Sequence, residues 1–162
     1  MLWVVRAGQK SIYAEKIVNN SKIYIPWDGY KVSLITLQRR EQVRKLVEKE
    51  KETDNRTSVS NWAGQLYSFA YEMNEEDYLL IPMYKSREYV LAQIAGKYVY
   101  DENEADSLYH SREIKILCKD IPAEIFSQSV RYSLGTFRTI FKVRQEDEIL
   151  TAIKHWKKGG NK

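Results

Sequence analysis

The sequence predicts a mixed α+β domain, a strongly bent or barrel-like β-sheet with peripheral helices. Three observations lead there. Short Val-, Ile- and Tyr-rich runs with a period of two cluster between Tyr78 and Cys118 and recur near both ends of the chain. Between them lie stripes of helical period, clearest at Trp62, Leu66, Phe69 and Met73. There are no internal repeats and no interdomain linker, so residues 1–156 read as one domain and 157–162 as a basic tail or linker.

Each element has its own signal. Leu2 to Arg6 is an apolar run stopped at Gly8, a first strand. Gln9 to Asn19 places Ile12, Tyr13, Lys16 and Ile17 on one helical face, with Asn19-Asn20 as a stop. Lys22 to Pro26 alternates as a second strand, and Trp27-Asp28-Gly29 makes a turn. Tyr30 to Ile35 reads as either a third strand or an extended link. Thr36 is placed to cap a helix to Lys51, with Lys49 to Arg56 as loop or frayed end. Ser58 or Ser60 caps the next helix, to Met73. Tyr78 to Ile81 and Glu88 to Ala95 make a hairpin about a turn at Lys85-Ser86-Arg87. Gly96 breaks the second strand, and Tyr98 to Tyr100 resumes it. Tyr109 to Cys118 alternates, with His110, Arg112, Ile114, Ile116 and Cys118 on one face. A helical turn from Ile121 to Phe126, a strand from Thr139 to Val143 and a helix from Glu146 to Trp156 complete the domain.

Composition narrows the function classes. With 43% hydrophobic and 30% charged residues the chain is globular rather than disordered. Its longest apolar runs are about five residues, far below the ~20 that cross a bilayer. The first residues do not form a signal peptide, and a lone cysteine, Cys118, excludes an intrachain disulfide. A reducing cytoplasm is the expected compartment. The net charge of +4 suits an anionic partner. His110 and His155 are the two histidines, and no Cys/His set has zinc spacing, so neither metal nor cofactor is expected.

Several segments, taken in order, resemble a known family. They are Trp3-Val4-Val5-Arg6-Ala7-Gly8, Ile25-Pro26-Trp27, Trp62 to Phe69, Asp77 to Pro82, Ala95 to Tyr100 and His110 to Lys115. Over roughly residues 1–143 this set resembles the amino-terminal domain of Mrr-like restriction endonucleases and related antiviral proteins, a relative of EVE and PUA-like folds. The resemblance implies a small PUA/EVE-like barrel that examines nucleic acid and takes a modified or flipped base into an aromatic pocket. It also implies a nuclease effector, fused or separate, beyond this chain.

Candidate site residues follow from residue chemistry. A loop Trp27 beside Asp28, flanked by Tyr30, suits stacking on a base while the carboxylate accepts from an exocyclic amine. Ser60, Asn61 and Trp62 open a helix at a pocket rim, and Tyr98 is placed to wall a pocket. Arg6, His110 and Arg112 are the candidate phosphate ligands. The expected function is a nucleic-acid reader, of modified DNA in a restriction or antiviral system. A nucleotide-like small-molecule sensor is the alternative. Glu113-Ile114-Lys115 fits half of the acid-x-Lys pattern of a magnesium-dependent nuclease, with acids at Asp101, Glu102, Glu104 and Asp106 upstream. No catalytic dyad or phosphate-binding glycine loop accompanies it.

Overall fold

A computed structural model describes residues 1–8, 12–25, 30–51, 55–83, 87–136 and 138–160. It is an α+β structure around one six-stranded mixed open sheet. The strands are β1 (Leu2–Val5), β2 (Lys22–Tyr24), β3 (Tyr78–Met83), β4 (Glu88–Tyr100), β5 (His110–Pro122) and β6 (Ile140–Val143). Their order across the sheet is β2-β5-β4-β3-β1-β6. The β1–β3 pair is parallel and the others are antiparallel, with Val4 opposite Leu80 on one side and Phe141 on the other. Strands β2 and β6 are therefore the sheet's edges.

Alternation along the strands builds two cores. On one face Trp3, Val5, Leu79, Ile81, Ala92, Ile94 and Ile140 pack beneath three helices: α1 (Ala14–Asn20), α2 (Arg40–Lys51) and α3 (Arg56–Tyr67). On the other, Leu2, Val4, Leu80, Phe141 and Val143 meet α4 (Gln128–Leu134) and α5 (Glu146–Gly160). The stripe packs as its spacing predicts but runs past α3: Leu66 on the helix and Phe69 and Met73 after it are buried, and Trp62 is half-buried against the same core.

Several boundaries differ from the sequence expectations. Tyr30 to Ile35 forms no strand; a 3-10 turn occupies Leu34–Thr36 instead. Thr36 bonds back to the Ser33 carbonyl at 2.7 Å rather than capping a helix, and α2 begins at Arg40. The cap of α3 is Asn55, whose side chain accepts from the Ser58 amide at 3.1 Å, not Ser58 or Ser60. Gly96 does not end β4. The strand runs on, with its register against β5 shifted between Ile94 and Tyr98. An added Cβ at Gly96 would lie 3.0 Å from that of Glu113, so the two backbones meet closely there. A second shift, between Leu91/Cys118 and Ala92/Ile116, places Cys118 against the opposite core from Ile116. One extra residue in a ladder reverses the alternation beyond it. Helix α4 is an element the pattern reading omits, and residues 157–160 continue α5 instead of leaving it as tail. The turn residues Lys85 and Ser86 lie outside the described residues.

Candidate functional site

The predicted residues fall into three groups. Trp27 and Asp28 lie outside the described residues. Tyr30, Tyr98 and His110 come together, but in a buried network. A carbonyl oxygen only accepts, so His110 Nε2 carries the proton it donates to the Tyr30 carbonyl at 2.6 Å. Nδ1 is then the acceptor for the Tyr98 hydroxyl, which itself accepts from the Leu34 amide at 3.0 Å. Burial pushes the His110 pKa down to about 4, against the raising effect of the Tyr30 carbonyl. Burial likewise pushes Tyr98 up to about 12, so the pair is neutral near pH 7. The network ties the segment Tyr30–Leu34 onto the sheet.

Arg112 is also buried. Its Nε and Nη2 donate to the Gly96 carbonyl at 3.1 and 2.9 Å, and Nη1 donates to Phe69 and Met73 at 3.3 and 2.5 Å. The Phe69 carbonyl lies within, and that of Met73 just after, a single π-helical turn, Ser68–Glu72, that follows α3. Arg6 acts in a similar way at the other end of the sheet. Its Nε donates to Arg138 O at 3.2 Å, and its Nη2 to Leu134 O at 2.9 Å and Thr136 O at 2.7 Å. The two arginines therefore use these donors on backbone carbonyls. Arg6 fixes the chain segment that carries Arg138.

Ser60 and Asn61 do reach a cleft. It encloses about 650 Å³ between α3, the π turn and the β6 edge. Arg40, Arg138, Lys142 and Arg144 line it, against one carboxylate, Glu72. Arg40 pairs with Glu72 at 2.9 Å, and Glu72 also accepts from Ser68 at 2.6 Å. Among the described residues Arg138, Lys142 and Arg144 have no carboxylate within ion-pair distance. Lys142 lies over the Trp3 ring, its Nζ 5.8 Å from the centroid. Trp3 is anchored by its indole N–H, which donates to Asp77 at 3.1 Å. Gln65 seams helix to strand: its Oε1 accepts from both the Thr139 and Ile140 amides at 2.9 Å.

Arg138, Lys142 and Arg144 escaped the sequence reading, which took Thr139–Val143 for its apolar residues. The signal was present. Arg138 and Arg144 bracket β6 and Lys142 lies within it, so three cations fall an even number of residues apart along one short segment. An edge strand with free cations resists pairing with other strands and attracts anions.

The acid-x-Lys pattern is not assembled into a metal cage. Glu113 is exposed beside Gly96 and opposite Lys22, while Glu104 and Asp106 pair with Lys16 at 3.0 and 3.8 Å. Among the described residues no three His, Cys, Asp or Glu side chains are grouped to hold a metal ion. No helix among them is long and apolar enough to cross a membrane.

A family model described as "Domain of unknown function (DUF8426)" matches residues 3–144. No curated protein matches the chain. The NMR structure of Rpa0253 from Rhodopseudomonas palustris, a structural genomics target, is similar over 94% of this chain and 90% of that one, at 14% identity and a TM-score of 0.39.

Proposed function

The chain belongs to the DUF8426 family, and since that description names no activity, we propose one from the geometry: a nucleic-acid-binding domain that holds phosphates in the β6 cleft. The observation that carries it is the trio Arg138, Lys142 and Arg144, without carboxylate partners among the described residues, beside a recess lined by Ser60, Asn61 and Thr57. Cations at the rim bind the backbone, and hydroxyl and amide groups in the recess suit the edge of an unstacked base. The ordered resemblance set out above supports the finer parts of the reading. These are a PUA/EVE-like fold, recognition of a modified or flipped base with Trp27 and Asp28, a cytoplasmic restriction or antiviral setting and a nuclease effector. Arg6, His110 and Arg112 act in this reading as positioning groups, because their donors are used inside the protein.

Fluorescence anisotropy with labelled oligonucleotides at low salt tests the proposal. Arg138→Ala, Lys142→Ala and Arg144→Ala should each weaken binding several-fold. Each should also flatten the dependence of log K on log salt by about one phosphate contact. Wild-type protein that binds no oligonucleotide, or a triple variant that binds as well as wild type, would sink it.

The volume of the cleft also favours a second reading, a free nucleotide as ligand. About 650 Å³ falls within the roughly 300–1,000 Å³ of small-molecule sites.

A further inference from the structure

A second concavity adjoins the first. It encloses about 550 Å³ and is lined by Ser133, Thr136 and Gln145 together with Phe141 and Val143. The two share Arg138, Phe141, Lys142 and Arg144. Alternation along β6 explains the division. Ile140 packs toward α3 and Phe141 and Val143 toward α4 and α5, so the edge strand stands as a ridge between a recess on each sheet face. The ridge is cationic, and each recess mixes polar and apolar side chains.

Each recess is the size of a small-molecule site, and the groups lining them differ. The first offers Thr57, Ser60, Asn61, Ser68 and Glu72; the second offers Ser133, Thr136 and Gln145. On α4, next to Ser133, Tyr132 is 88% exposed, the most exposed large hydrophobic side chain among the described residues. An exposed tyrosine next in sequence to a residue that lines the second recess offers a platform on which a base can stack.

We propose that the ligand is single-stranded nucleic acid crossing β6, with a phosphodiester on the Arg138–Lys142–Arg144 ridge and a nucleoside in the recess on either side. The inference rests on the nucleic-acid reading above and names the form of the ligand. A duplex keeps successive bases paired and stacked on one side of its backbone, so it cannot place neighbours in recesses on opposite sides of a ridge. A single strand can splay them, because nothing but weak stacking holds its bases together. The cations contact backbone alone, so binding would tolerate sequence.

The test measures binding of the full chain at low salt to single-stranded DNA and RNA of about ten nucleotides, a length within the usual site sizes of such proteins. The matching DNA duplex and a nucleoside monophosphate are the other two ligands. At least one single strand should bind about tenfold or more tightly than the duplex. Tyr132→Ala should weaken that binding about tenfold, as loss of one stacked base does, without altering the salt slope. Because Tyr132 is exposed, that variant keeps its fold. A duplex that binds as well as the strands, or a Tyr132→Ala variant that binds like wild type, overturns the single-strand inference and leaves the nucleic-acid reading standing. Binding of the monophosphate alone overturns both, as does no binding at all.

Discussion

Arg112 holds together parts of the chain that are far apart in sequence. Its guanidinium joins the carbonyl of Gly96, where β4 is irregular, to those of Phe69 and Met73 at the π turn. Burial pulls its pKa down, while Glu75 and Asp77 oppose that shift. Arg112→Met keeps most of the volume but leaves those carbonyls without their donors. A buried polar group that loses its partner costs about 1–3 kcal/mol, so the variant should lose about 3 kcal/mol or more of stability. The check is a lower urea midpoint at unchanged slope; an unmoved midpoint would show that water replaces the guanidinium. At this scale the sequence is a poor guide. An inward-facing His110 and Arg112 on a strand look like ligand contacts, because their partners are backbone carbonyls distant in sequence. No side-chain pattern records a carbonyl.

Elements were more legible, and the failures have local causes. Helix α3 and the π turn that continues it are visible because Leu66, Phe69 and Met73 repeat at helical spacing. Its start was misplaced because three capping residues, Asn55, Ser58 and Ser60, lie within one and a half turns. Only geometry shows that Asn55 accepts the amide bond. Helix α4 was missed because it is short, although Ser127 caps it and Val130 and Leu134 give one apolar turn. The cationic segment at 138–144 was equally visible, but a strand read for its core hides what its other residues do. Within α3, Gly64 lines the cleft, and an added methyl would meet only Arg40 Nη1, at 3.7 Å. Gly64→Ala should therefore raise stability by up to about 1 kcal/mol through helix propensity. Thermal unfolding checks it, and a lower midpoint would mean that Arg40 is displaced by even that contact.

For the whole molecule, stability should carry the mark of one imidazole. His110 has a pKa of about 4 in the folded protein, against 6.5 when unfolded, so the unfolded chain binds the extra proton between those values. The neutral ring's contribution is then complete above about pH 6.5 and is lost as pH falls toward 4. The shift corresponds to about 3 kcal/mol. Denaturant unfolding across that range should show the loss, and His110→Gln should remove that step. The coarse class, α+β with helices around one sheet, is legible because period-two and period-3.6 segments alternate plainly, whereas the sheet is open rather than barrel-like. The order of the strands is not legible, because parallel neighbours such as β1 and β3 leave no turn between them to read. That order has a kinetic consequence. Leu2–Val5 is made before both of its neighbours, Tyr78–Leu80 on one side and Ile140–Val143 on the other. About half of this sequence must be made before this strand finds its first neighbour, and most of it before the second. Folding is thus governed by slow, long-range closure. Until then Leu2, Trp3, Val4 and Val5 stay open to chaperones and to aggregation.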